Sequence, residues 1–214
     1  MIKVENIETW GWNGAIRGMR NPMNSWRFSD TTFDYDCLHG TNIVNIGPAD
    51  LALMMRLAKA GTDHRKYLRM IHIQMDVIAP LYWWKDYDTY KVATTANGCS
   101  TMHKLHEKDL TIRDFSTEDL DEIGVNILQT TIDYINYHRY KFVVEGDKES
   151  WRKMIQSLPT SYNQRRTLDI NYETAMSMIH SRHNHKLQEF RDLCKILLDK
   201  CPYLSEIYEY VEGK

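Results

Sequence analysis

Four cysteines, Cys37, Cys99, Cys194 and Cys201, are all the chain has for covalent stapling, and they lie far apart with no C-x-x-C pair. That scarcity fits reduced thiols and argues against a disulfide framework or a zinc site, so no metal is expected. No run of about 18 apolar residues is present, which removes a membrane-spanning helix and any expected membrane partner. The first ten residues, MIKVENIETW, carry neither the apolar stretch of an export signal nor an Arg/Ser-rich amphipathic run, so a cytoplasmic location is expected. A formal charge of −2 leaves no overall basic field, which excludes a nucleic-acid polymer as the expected partner. Internal repeats and low-complexity segments are absent as well.

What is there is a 214-residue chain with 43% hydrophobic and 26% charged residues, enough for one well-filled core. A single domain over residues 1–214 is the expectation. The 13 tyrosines and 6 tryptophans exceed what a minimal core needs, and supply surface for stacking on planar rings or for subunit contacts.

Periodicity gives a partial plan. Residues 48–60 read as a short amphipathic helix, with Asp50 in the first turn and Gly61 after the end. Residues 69–79 alternate Ile71, Ile73, Met75 and Val77 against His72, Gln74 and Asp76, the pattern of a strand with one buried face, ended by Pro80. Ser116 and Asp119 have capping-box spacing. A long helix is expected to follow toward His138, packed through Leu120, Ile123, Ile127, Leu128, Ile132 and Ile135. Residues 144–150 read as a loop, 150–158 as a helix ended by Pro159, and 172–182 and 186–200 as two more, with a break at Cys201-Pro202. Helices around one half-buried sheet make the expected class α+β.

Four segments carry a resemblance. Ala15-Ile16-Arg17-Gly18-Met19-Arg20 comes first, then the strand ending Ala79-Pro80-Leu81 and leading into residues 89–103. Third is Ser157-Leu158-Pro159, with Asn171 twelve residues after the proline. The fourth is residues 171–188 containing Arg182, with the tail Lys200-Cys201-Pro202-Tyr203. In this order the chain resembles the flavin-dependent thymidylate synthases from Ala15 to about Tyr210. With one extra residue allowed before Asn97, the family's loop pattern R-H-R-x-x-S-x-N-x-x-S-x-R keeps Asn97 and Ser100 here, with a hydroxyl at Thr94 or Thr95.

The resemblance implies a fold of helices around a small antiparallel sheet and a homotetramer with ligand pockets at subunit junctions. It implies FAD, reduced by NADPH, passing a one-carbon unit from methylenetetrahydrofolate to a deoxyuridylate-like nucleotide. Tyr90, Lys91, Asn171 and Ser177 then stand by the flavin, and Asn97, Ser100, Lys186 and Arg182 by the nucleotide, with Arg182 and Ser100 in the catalytic set. Ser177 and Lys186 replace an Asn and a His of the family pattern.

The departures fall on charge. Thr89-Tyr90-Lys91 stands where the family has Arg-His-Arg, and Met102 and Ile155 stand where it has phosphate-binding arginines. A phosphate wants bidentate guanidinium donors, and two lost charged hydrogen bonds weaken a nucleotide monophosphate by roughly 3–6 kcal/mol unless replaced. Lys104, Lys153, Arg165 and Arg166 are the available replacements. Two other functions therefore stay open: a non-enzymatic oligomer of the phage-sponge kind that sequesters nucleotides without flavin chemistry, and modification of a different pyrimidine. Cys99 is a candidate nucleophile toward a pyrimidine ring. His183-Asn184-His185 is read as surface, because residues two apart on a helix point to different faces. Trp83-Trp84 is read as an interface, with ring stacking as the alternative.

Overall fold

The computed structural model describes residues 2–37 and 41–213, with 41 and 42 by their backbone. Its elements are β1 (Lys3–Trp10), α1 (Trp12–Arg20), β2 (Thr32–Asp36), β3 (Thr41–Asn45), α2 (Pro48–Lys59), β4 (His72–Pro80), α3 (Leu81–Tyr87), β5 (Thr94–Gly98), α4 (Thr101–Lys104), α5 (Glu122–Val143), α6 (Lys148–Ser157), β6 (Asn163–Asn171), α7 (Tyr172–Arg182), α8 (Gln188–Lys200) and α9 (Leu204–Glu212).

The alternation read in β4 is present in full. Ile71, Ile73, Met75, Val77 and Ala79 are at most 1% exposed, while the intervening residues face outward. Such a strand needs partners on both edges. β1 and β6 flank it antiparallel, and β5 completes the order β1-β4-β6-β5 by pairing antiparallel with β6. The sheet is antiparallel and the class α+β, as expected. β2 and β3 form a separate antiparallel ribbon.

Two apolar cores result. The larger joins the inner face of the sheet to α1, α2, α3, α7, α8 and α9, and contains Trp83, Trp84, Tyr87 and Phe190 in ring contact. Trp83 and Trp84 are therefore buried within one protomer, which corrects the interface reading. The smaller core gathers Leu105, Leu110 and Phe115 against Leu128, Ile132 and Ile135 of α5 and Met154 of α6.

Several element boundaries are corrected. α5 starts at Glu122, because Asp121 supplies the cap by accepting from the Gly124 N–H at 2.8 Å, while the Ser116 hydroxyl donates to Glu118. The helix also passes His138 and ends at Val143. Leu120, Ile123 and Ile127, read as packed, are exposed. Residues 94–98, read as loop, form β5, held in the sheet by β6 although their own side chains favour a turn. β1, β6, α1, α3 and α9 carry too little apolar alternation or too few stop signals to stand out in the sequence.

Candidate functional site

Three side chains at four-residue spacing, Tyr82 and Asp86 on α3 and Tyr90 just beyond it, face the turn between α7 and α8. Arg182, at the C-terminal end of α7, donates through Nε to the Tyr90 hydroxyl at 3.1 Å and through Nη2 to Asp86 at 3.0 Å. Its guanidinium lies 4.9 Å from the Phe190 ring centroid and 5.7 Å from that of Tyr90. A guanidinium held between rings has lost its rotamer freedom before any ligand arrives. Burial lowers its pKa, and the Tyr90 and Asp86 contacts more than offset that, so it is raised overall. Since Ser181 Oγ donates to the Ser177 carbonyl, the Tyr90 hydroxyl donates to Ser181 at 2.9 Å, which completes a chain Arg182–Tyr90–Ser181–Ser177. His185 Nε2 is 3.6 Å from Asp86, so it turns inward where the sequence suggested surface.

One turn of α3 earlier, Tyr82 lines a cavity of about 450 Å³ together with residues 116–120, Ser161 and residues 186–189, 191 and 192. That is the size range of small-ligand sites. The Tyr82 hydroxyl donates to Glu189, which is 7% exposed, and burial with this carboxylate pushes the phenol up to about 12. Arg191 is spent on the Lys186 and His185 carbonyls and on Gln188, so it fixes the turn. Lys186 is the cavity's lysine, and it has no ion-pair partner among the described residues.

The remaining expected site residues lie elsewhere. Asn171, 4% exposed, caps α7 by accepting from the Thr174 N–H at 2.9 Å. Asn97 is exposed on β5 opposite Thr167, and Ser100 caps α4 by accepting from the His103 N–H at 3.1 Å. Lys91 is exposed at the loop before β5. Among the described residues no hydrogen bond or ion pair joins Asn97 or Ser100 to Arg182. Cys99 is an exposed free thiol.

The replacement cations are largely committed. Arg165 pairs with Asp76 at 2.6 Å, Arg166 with Asp88 at 2.7 Å while stacked 4.3 Å over Trp84, and Lys104 with Glu107. Lys153 is exposed on α6. Sequence reading missed Asp86, Tyr82 and Glu189; the four-residue spacing from Tyr82 to Tyr90 was the available signal.

No family model and no curated protein matches the chain in sequence. Solved structures match its shape along its whole length. Thymidylate synthase X from Helicobacter pylori, with FAD and dUMP, superposes with a TM-score of 0.70 at 16% identity, covering 99% of this chain and 100% of that one. A second structure of that enzyme, complexed with FAD and dUMP, gives 0.67 at 16% identity, over 98% and 99%. A UMP/dUMP methylase, PolB from Streptomyces cacaoi, bound with 5-Br dUMP, gives 0.68 at 11% identity, over 100% and 95%. The chain has the fold of the flavin-dependent thymidylate synthases.

Proposed function

We propose that this single-domain chain is a pyrimidine-nucleotide-binding protein, cytoplasmic and homotetrameric, with Arg182 as the donor that reads the base. The observation that carries the reading is the guanidinium clamped between Tyr90 and Phe190, one turn of α3 from the 450 Å³ cavity. Its support is a fold whose solved examples include enzymes bound to dUMP and 5-Br dUMP. The uracil of these nucleotides presents carbonyl oxygens as acceptors on either side of its own N3–H donor, and the N–H groups of a fixed guanidinium can donate to one of those carbonyls. Lys186 is the cation within reach of a phosphate, with Asn97 and Ser100 contributed across a subunit junction.

The donor set does not fit a flavin's pyrophosphate. Of the expected flavin set, Tyr90 is spent on Arg182 and Ser181 and Asn171 on the α7 cap, and the replacement cations Arg165 and Arg166 are paired with carboxylates, which leaves Lys91 and the Ser177 hydroxyl without such a bond among the described residues. Ion pairing on this face favours nucleotide sequestration over FAD-dependent methylation with NADPH and methylenetetrahydrofolate.

Two measurements test the reading. In calorimetric titration with dUMP and UMP, Arg182→Ala is expected to weaken binding at least tenfold, and unchanged affinity would remove Arg182 from the site. The purified protein is expected to show no flavin absorption with or without added FAD. A bound flavin, with thymidylate formed from deoxyuridylate, would establish the methylation reading instead.

A further inference from the structure

Helix α5 has two apolar faces and its own protomer covers one of them. Leu128, Ile132, Ile135 and His138 are buried in the smaller core. Rotated from them by roughly 130°, at about 100° per residue, run Ile123, Ile127, Tyr134 and Tyr137, exposed by 70%, 63%, 45% and 54%. Leu120 and Val144, also exposed, extend the line just beyond the helix at either end. The positions 120, 123, 127, 130, 134, 137, 141 and 144 alternate by three and four residues, the seam of a two-stranded coiled coil. Thr130 belongs to that seam without cost, since its hydroxyl donates to the Asn126 carbonyl at 2.9 Å and leaves its methyl outward. Lys141 lies along it with its ammonium 5.4 Å from the Tyr137 ring centroid. Scattered exposed apolar residues need no explanation, whereas a line of them along a 22-residue helix, broken only at Thr130 and Lys141, does.

We propose that the occupant is α5 of a second copy of this chain, packed antiparallel across a two-fold axis. Charge decides the direction. A parallel pair would set Lys141 against Lys141 and align the two helix dipoles head to head. An antiparallel pair sets Lys141 of each copy against Ile123 beside the Asp119, Asp121 and Glu122 end of the other. The layers become Ile123 facing Lys141, Ile127 facing Tyr137, and Thr130 facing Tyr134. An isologous contact of this kind closes on itself and needs no second surface. The seam residues within α5 lie outside the candidate site, and although Asp119 and Leu120 just before the helix also line the cavity, the contact does not depend on what the cavity binds.

The test is sedimentation of the full chain, followed by thiol trapping. Ile127→Glu and Tyr134→Glu are each expected to halve the assembly mass with an unchanged circular dichroism spectrum. In a background carrying Cys37→Ser and Cys99→Ser, an oxidised mixture of Ile127→Cys and Tyr137→Cys chains is expected to give a disulfide-linked dimer. Ile127→Cys alone is expected to give none. Three outcomes overturn the proposal: an unchanged mass in both charge variants, no cross-link in the mixture, or a cross-link with Ile127→Cys alone as abundant as in the mixture.

Discussion

If Arg182 reads the base as proposed, Asp86 sets how much of its guanidinium a ligand can use. Its carboxylate holds Nη2 at 3.0 Å, one of the donors that a pyrimidine carbonyl would accept from. Removing that negative charge while keeping the shape releases the guanidinium without unlocking it, because Tyr90 still holds Nε. Asp86→Asn is therefore expected to tighten dUMP or UMP binding about tenfold, on the order of 1.4 kcal/mol. Calorimetric titration checks it, and weaker binding would instead make Asp86 part of the ligand contact. Arg182 was singled out in the sequence by its spacing to Asn171 and Leu158-Pro159, and its part in a site is the proposal that the dUMP titration tests. Asp86 was not, because its partner lies 96 residues away and only the packing of α3 on the α7–α8 turn brings them together.

At the scale of single elements, two polar residues act as fasteners. Asn171 accepts from one of the orphan N–H groups of α7, that of Thr174, so Asn171→Ala is expected to cost about 1 kcal/mol in urea unfolding while Asn171→Asp retains most of the stability. A flavin contact would give a different result, with ligand affinity lost and stability kept. The second fastener joins α5 to α6: Asp147 accepts from Ser150 at 2.7 Å, and Ser150 lies 2.8 Å from Nδ1 of buried His138. Burial lowers the His138 pKa below the usual 6.5, and repulsion by Lys153 and Lys141 adds to this against an opposing pull from Asp147. Below about 6.5 the unfolded chain takes up this proton first, so the contribution is complete above that pH and is lost as the pH falls through it. The unfolding free energy of His138→Gln is expected to vary less between pH 7 and pH 5 than that of the wild type; equal slopes would show that His138 does not titrate. Helix interiors with strong periodicity were legible, as in α2 and α7. The start of α5 was not, since Ser116-x-x-Asp119 and Asp121 offer rival caps, and the pairing of Phe115 with Tyr162, the Ser116 N–H bond to the Ser161 carbonyl and the Ser116 hydroxyl bond to Glu118 hold Ser116 in contacts outside the helix.

Across the whole molecule, one buried ion pair ties α1 and the segment entering the β2–β3 ribbon to α2. Asp50 is fully buried; it accepts from Arg20 Nε at 2.6 Å, from the Ser29 and Thr31 hydroxyls at 2.7 and 2.8 Å, and from the Asp30 and Thr31 N–H groups at 3.0 and 3.1 Å. The sequence showed Asp50 only as a first-turn acid of α2, because four of its five donors come from a stretch with no periodicity. Burial pushes its pKa up, but the hydrogen bonds from Ser29, Thr31 and Arg20 overcome that and hold the carboxyl below its usual value. The contribution is thus present above about pH 4 and is lost as the pH falls through that range. Asp50→Ala strands Arg20 without its counter-ion in the core and orphans four further donors, an expected loss of about 3–5 kcal/mol. The double variant Arg20→Met/Asp50→Leu removes the stranded charge, so it is expected to lose less than Asp50→Ala alone. Urea unfolding of the three proteins at pH 7 decides the point: a double variant as unstable as Asp50→Ala would mean that the orphaned donors at Ser29, Asp30 and Thr31, and not the unpaired guanidinium, carry the cost.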